Sequence, residues 1–123
     1  MAGELVLVVE DNEKNMKLFR DVLQARGYAT LEAETAEEGI ELARAHSPGL
    51  VLMDVQLAGI DGVEALTRLR QDSHTASIPV LAVTAQAMHG DRERFLEAGF
   101  DGYLSKPVDV MELLASVEAH CSR

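Results

Sequence analysis

Leu50-Val51-Leu52-Met53-Asp54 contains four apolar residues that follow one another without a break and end at a carboxylate. A short continuous apolar run is typical of a strand that is buried on both faces, such as the central strand of a parallel sheet. Parallel sheets bind their ligands at the carboxyl ends of the strands. The sequence therefore predicts that Asp54 lies at the rim of a sheet, where solvent and ligands can reach it.

Strand and helix patterns alternate five times around this stretch. Further strands are predicted at 5–9, 28–33, 79–84 and 102–105, and the second is the least buried because its polar residues alternate with apolar ones. Helices are predicted after each strand, with N-caps at Asn12, Thr35 and Asp109, a third helix marked by Val63, Leu66 and Leu69, and a fourth over 89–98. This order predicts an α/β fold in which helices cover both faces of a parallel sheet through right-handed crossovers.

The composition is that of one small acidic domain. The chain has 123 residues, 47% of them hydrophobic, no tryptophan and a net charge of -10. The negative charge argues against a nucleic acid as direct partner, because phosphate binding needs clustered lysines and arginines. Neither a signal peptide nor a membrane-spanning run is visible, and Cys121 is the only cysteine. We expect a single domain over 1–123 that has no output domain and is located in the cytoplasm.

Polar residues follow the predicted strands at the edge where Asp54 lies. Glu10 and Asp11 follow the first strand, Thr84 ends the fourth and Lys106 follows the fifth. Three crowded carboxylates would raise one another's pKa values unless a cation compensates them. Mg²⁺ fits, because it prefers oxygen ligands and is usually held by one or two carboxylates together with phosphate. With a lysine and a hydroxyl nearby, the set is typical of phosphoryl transfer to Asp54 as the nucleophile.

Each of these residues also has an ordinary explanation. Asp54 alone could be a turn residue, Glu10 and Asp11 could be acids that favour a helix N-terminus, Lys106 could be solvated, and Thr84 could cap the next helix. The functional interpretation is favoured because four strand ends carry complementary chemistry. A flavin site is disfavoured because residues 10–13 would repel a phosphate, and a dinucleotide site because no G-x-G-x-x-G follows the first strand.

Five motifs together make the chain resemble a known family. They are Val9-Glu10-Asp11-Asn12, Leu52-Met53-Asp54-Val55-Gln56, Asp61-Gly62, Val83-Thr84-Ala85 and Ser105-Lys106-Pro107. With them the chain resembles the receiver domains of two-component response regulators, the fold shared with the chemotaxis protein CheY. The segments at 8–19 and 85–91 are most similar to single-domain cell-division regulators of the DivK type. The resemblance implies a flavodoxin-like sheet of order 2-1-3-4-5.

The resemblance also implies a role for each matching residue. Asp54 would be the phosphoacceptor, and Mg²⁺ (or Mn²⁺ in its place) would be bound by Glu10, Asp11, Asp54 and the backbone carbonyl of Gln56. Lys106 would contact the phosphoryl group. Two departures are present: Ala58 stands where the family usually has proline, and the acidic pair is Glu-Asp instead of Asp-Asp.

Further implied features concern switching. Thr84 would move inward to bond the phosphoryl group, and Tyr103 would swing from an exposed to a buried position, although a static tyrosine is an equally good interpretation. Ala85 would leave the phosphate entrance open, and the Lys106–Pro107 bond would be cis.

The implied partners are proteins. A histidine kinase/phosphatase, or a histidine phosphotransfer protein, would exchange the phosphoryl group, and downstream proteins would bind the face of the fourth helix, fifth strand and fifth helix. We expect no turnover of an external small molecule, no direct DNA or membrane binding, and a monomer or weak dimer. The alternatives are a receiver cut from a hybrid kinase or longer regulator, and a binding module that works without phosphorylation.

Overall fold

The computed structural model describes residues 4–55, 62–85 and 91–121. Strands and helices alternate along the chain as follows: β1 Leu5–Val9, α1 Glu13–Ala25, β2 Ala29–Ala33, α2 Ala36–His46, β3 Leu50–Asp54, α3 Gly62–Gln71, β4 Val80–Thr84, α4 Asp91–Ala98, β5 Gly102–Ser105 and α5 Val110–His120. All strand pairs are parallel, and the strand order is β2-β1-β3-β4-β5. The predicted fold class and strand order are confirmed.

The central strands are buried on both faces because their residues point alternately to two apolar layers. Leu50 and Leu52 join the core formed with α1 and α5, whereas Val51 and Met53 join the core formed with α2, α3 and α4. Every residue of β3 and β4 is buried, while β2, at the edge of the sheet, is partly exposed. The apolar run in β3 is therefore unbroken because helices cover both faces of this strand.

Helix ends follow the predicted capping residues. Asn12, Thr35 and Asp109 each accept a hydrogen bond from the backbone N–H three residues later, at 3.0–3.1 Å. The capping box at Thr35 differs in one respect, since the Glu38 carboxylate accepts from the N–H of Glu34, the residue before the cap.

Two details of the helix patterns differ from expectation. Leu66 and Leu69 on α3 are buried, but Val63 is 40% exposed, and Ala65 takes the inward position instead. α4 begins at Asp91, and the predicted start at residue 89 lies outside the described part of the chain. None of the helices that the structure describes is both long enough and apolar enough to cross a membrane.

Candidate functional site

The sheet places the predicted site residues through its backbone. Glu10 follows β1 directly, and its N–H donates to the carbonyl of Ala33, so the β1–β2 ladder extends to this position. Lys106 follows β5 in the same way, and its N–H donates to the carbonyl of Thr84 at 2.7 Å. Asp54 is the last residue of β3, between these two strands in the order of the sheet. The carboxyl ends of three strands therefore present these side chains at one rim.

Three carboxylates gather there. One oxygen each from Glu10, Asp11 and Asp54 can be chosen so that all three lie within 4.8 Å of one another. Glu10 is 1% exposed and Asp54 is 2% exposed, whereas Asp11 faces solvent. The predicted acidic cluster is present, with two buried members and one open to water.

Lys106 joins the two buried carboxylates. Its Nζ lies 2.9 Å from Oδ2 of Asp54, 3.0 Å from Oε1 of Glu10 and 3.3 Å from Oε2 of Glu10. Burial alone would lower the pKa of Lys106, but its hydrogen bonds and charge interactions with Asp54 and Glu10 outweigh burial and raise that pKa. The lysine is therefore held in its charged form at the centre of the rim.

The pKa of Glu10 is changed by its burial and by its charged neighbours. Burial raises the pKa of Glu10, the hydrogen bond from Lys106 opposes that rise, and the charge of Asp54 adds to it, so the pKa lies above its ordinary value. Oε2 accepts a hydrogen bond from the N–H of Asn12 at 3.1 Å, and the same bond fixes the side chain. Oε1 is buried and lacks a partner of hydrogen-bonding geometry, although Lys106 pairs with it electrostatically. A further cation at Oε1 would satisfy this oxygen.

The carboxylate set suits Mg²⁺ in its chemistry. Three carboxylates face one lysine, so the rim has excess negative charge, and all candidate ligands are oxygens. An open groove of about 730 Å³ lined by Glu10, Asp11 and residues of α1 gives a ligand access to the rim. The predicted ligand at the carbonyl of Gln56 lies outside the described residues, as do Ala58 and Asp61.

The remaining predicted residues lie next to this rim. Thr84 is fully buried and stands in register with Ser105, one residue before Lys106. The Lys106–Pro107 peptide bond is cis. Tyr103 is half-buried on β5 and stacks on Phe95, with ring centroids 5.7 Å apart. Sequence reasoning missed Phe95 as the partner of Tyr103, because nothing in a helix of charged residues marks one phenylalanine as a neighbour of the next strand.

Comparison with known proteins agrees with this geometry. The family model described as the response regulator receiver domain matches residues 6–118. The polar-differentiation response regulators DivK of Brucella ovis and Brucella anthropi are each 45% identical to the chain over 115 residues, which is 94% of this chain and 94% of each relative.

Solved structures show the same similarity. A response regulator from Chloroflexus aurantiacus superposes with a TM-score of 0.89 at 32% identity, covering 95% of this chain and 96% of that one. The receiver domain of the sensor histidine kinase PA1611 from Pseudomonas aeruginosa gives a TM-score of 0.88 at 32% identity, covering 97% and 98% of the two chains. That protein was crystallised with a magnesium ion coordinated in its active site cleft.

Proposed function

Since the chain belongs to the response regulator receiver domain family, whose members are signalling proteins, we propose that Asp54 accepts a phosphoryl group from a histidine kinase. The observation that carries the proposal is the rim itself, where Asp54 ends the central strand and Lys106 joins it to Glu10. A carboxylate presented in this way, beside a cation and two further acids, is an activated phosphoacceptor.

Phosphoryl transfer depends mainly on neutralising the negative charge of the phosphoryl oxygens. A carboxylate oxygen of Asp54 forms a bond to phosphorus, while the bond between phosphorus and the donor nitrogen or oxygen breaks and the donor leaves with the electron pair. Negative charge spreads over the phosphoryl oxygens during this exchange. Lys106, already 2.9 Å from Asp54, is placed to stabilise that charge, and the hydroxyl of Thr84 is the proposed donor to a phosphoryl oxygen afterwards.

Glu10, Asp11 and Asp54 are the proposed metal ligands, with the carbonyl of Gln56 as a fourth. The bound Mg²⁺, or Mn²⁺ in its place, supplies positive charge that offsets the acids and the incoming phosphoryl oxygens. The raised pKa of Glu10, which is caused first by burial, and its buried Oε1 support this assignment. Glu10 is held by the N–H of Asn12 and therefore orients the ligand set without reorganising.

The proposed output is a change in a protein-binding surface. Exposed apolar side chains support a contact face on α4, β5 and α5. Leu96 is 39%, Val110 41% and Met111 70% exposed, and these are three of the four large exposed hydrophobic residues in the described part of the chain. Val110 and Met111 are adjacent at the start of α5, and we propose that a partner protein covers them together with Leu96. Tyr103 lies between these helices on β5 and is the proposed switching side chain.

The finer assignments extend the proposal. The 45% identity to DivK supports a role as a single-domain regulator of cell division in a phosphorelay that contains a kinase/phosphatase or a histidine phosphotransfer protein. The cytoplasmic location, the absence of direct DNA binding and the monomeric or weakly dimeric state expected from the sequence remain predictions.

Intact mass spectrometry after incubation with acetyl phosphate tests the chemistry. We expect one phosphoryl adduct that requires Mg²⁺ and disappears in Asp54→Asn. Asp72→Asn is the matched control, because it removes an acid at the end of α3 whose partners are Arg44 and the backbone N–H of His74, and none of these groups belongs to the rim. An adduct that persists in Asp54→Asn, or the absence of any adduct in the wild type, would refute the proposed acceptor.

A further inference from the structure

Among the side chains of α4 that the structure describes, one is buried against the sheet. Of its side chains at 93–98, Phe95 is 4% exposed and all the others are exposed. Helices α2 and α3, by contrast, each bury four residues against the same layer. The position of α4 on β5 therefore depends on what the ring of Phe95 contacts.

The ring of Phe95 stacks on the ring of Tyr103. The centroids are 5.7 Å apart and the planes differ by 23°, while Phe100 meets Phe95 edge-on at 5.9 Å. Aromatic pairs at these distances attract each other beyond the effect of burying their area. The guanidinium of Arg94 also lies 5.0 Å from the centroid of the Phe95 ring. The anchor of α4 is thus an aromatic cluster in which Tyr103 is the member contributed by β5.

The start of β5 is fixed independently of this cluster. Oδ2 of Asp101 accepts from the N–H of Val80 at 2.8 Å and from Nη2 of Arg70 at 2.9 Å. The backbone N–H of Asp101 also donates to the carbonyl of Val80. Because these bonds tie the residue before β5 to β4 and α3, we expect β5 to stay in place when α4 is displaced. A change at the Phe95–Tyr103 contact must therefore be taken up by α4 or by the tyrosine side chain.

We propose that Phe95 is a positioning residue that couples the side-chain position of Tyr103 to the docking of α4. While the rings are stacked, α4 is held on β5, and when Tyr103 leaves the stack Phe95 loses the ring partner that β5 contributes. The coupling itself is a property of the unphosphorylated protein. Only its trigger, phosphorylation of Asp54, rests on the proposed function.

Amide hydrogen exchange of α4 tests the coupling with no phosphate donor present. We compare the wild type with Phe95→Leu, Tyr103→Leu and Tyr103→Phe, which keeps the ring. The first two variants should speed exchange at residues 95–100 by about three- to tenfold, whereas Tyr103→Phe should leave it unchanged. The double variant Phe95→Leu/Tyr103→Leu should exchange no faster than the faster of the two single variants, because both substitutions remove the same contact.

Phe19→Leu is the matched control for a general loss of stability. Phe19 is buried on α1 in the other apolar layer, so its loss should lower the urea midpoint without selectively affecting α4. Unchanged exchange in Phe95→Leu, exchange in Tyr103→Phe as fast as in Tyr103→Leu, or simple multiplication of the two single effects in the double variant would overturn the coupling.

A second arm adds acetyl phosphate and Mg²⁺. Phosphorylated wild type should exchange faster at α4, and phosphorylated Phe95→Leu should show no further increase, because its contact is already lost. A wild type that forms no adduct refutes the proposed function, and the first arm then decides the coupling by itself. An adduct that speeds α4 exchange equally in both proteins refutes the coupling and leaves the proposed function standing.

Discussion

The two edges of the sheet carry charged clusters of opposite design. At the carboxyl edge, Glu10, Asp11 and Asp54 form a cluster of three carboxylates in which Lys106 pairs with Glu10 and Asp54, and burial is the main cause of the raised pKa of Glu10. At the amino edge, Arg70 faces Asp101, and the two charges balance. The first cluster has excess negative charge that a ligand can neutralise, and the second is complete without a ligand.

The amino-edge cluster also satisfies the backbone around it. Arg70 donates to the carbonyls of Ala76, Ile78 and Gly99, at 3.1, 2.6 and 3.4 Å, as well as to Asp101. It therefore ties the end of α3 to the segments that precede β4 and β5. A charge whose partners all lie within the protein stabilises the fold, whereas a charge that is only partly compensated favours ligand binding.

The largest expected effect on stability comes from breaking the balanced edge. Arg70→Met should lower the free energy of unfolding by about 2 kcal/mol, because it removes the charged partner of Asp101 and the hydrogen bonds that Arg70 donates to three carbonyls. Urea unfolding measures the change. Arg68→Met, two residues away, is the control: its exposed pair with Glu64 should contribute about 0.5 kcal/mol or less. Equal losses in the two variants would contradict the special role of Arg70.

Relieving the unbalanced edge should have a smaller effect of the opposite sign. Asp54→Asn should raise the free energy of unfolding of the metal-free protein by about 1 kcal/mol, because it removes one of three neighbouring negative charges. It should also weaken the stabilisation by added Mg²⁺. Thermal melts with and without the metal check both effects. A lower melting temperature for the metal-free variant would contradict the picture of crowded acids.

The pH dependence of stability tests whether Glu10 has a raised pKa at the carboxyl edge. Because burial raises the pKa of Glu10 above its ordinary value of 4.5, this residue contributes stability fully below that pH, and the contribution is lost as pH rises through the raised pKa. Relative to Glu10→Gln, the metal-free wild type should therefore lose stability as pH rises from 4.5 through the raised pKa of Glu10. Urea midpoints across the window measure the difference. A difference that is independent of pH would rule out a raised pKa for Glu10.

The smallest effect is expected at Asp72, at the end of α3. A backbone hydrogen bond from His74, and then a hydrogen bond from Arg44, lower the pKa of Asp72 below its ordinary value of 3.8. Its stabilisation is present above that pH and is lost as pH falls through the lowered pKa. Asp72→Asn should thus remove a stabilisation that is present at neutral pH, and the difference between the two proteins should disappear as pH falls through the lowered pKa. The stabilisation is small because the partner Arg44 is 51% exposed. Acid titration of circular dichroism compares the two proteins.

Local patterns predicted most of the architecture. The apolar runs of β1 and β3 mark buried strands because two covering layers leave no place for a polar residue. Caps at Asn12, Thr35 and Asp109 follow from hydrogen bonds that reach only three residues along the chain. Val63 lies at helical spacing from Leu66 and Leu69 but is exposed. The spacing shows which residues share a face of the helix, whereas the neighbouring elements decide how wide the buried part of that face is.

The candidate site divides along the same line. The residues at the rim were predictable from the sequence alone, because parallel strands place every carboxyl end on one side and the residues at those ends are read directly from the chain. The structure was needed to show that Lys106 contacts both Glu10 and Asp54, that Arg70 pairs with Asp101, and that Phe95 stacks on Tyr103. These contacts join residues on different helices and strands. They depend on how those elements pack and on how far the side chains reach, and no local sequence spacing predicts either.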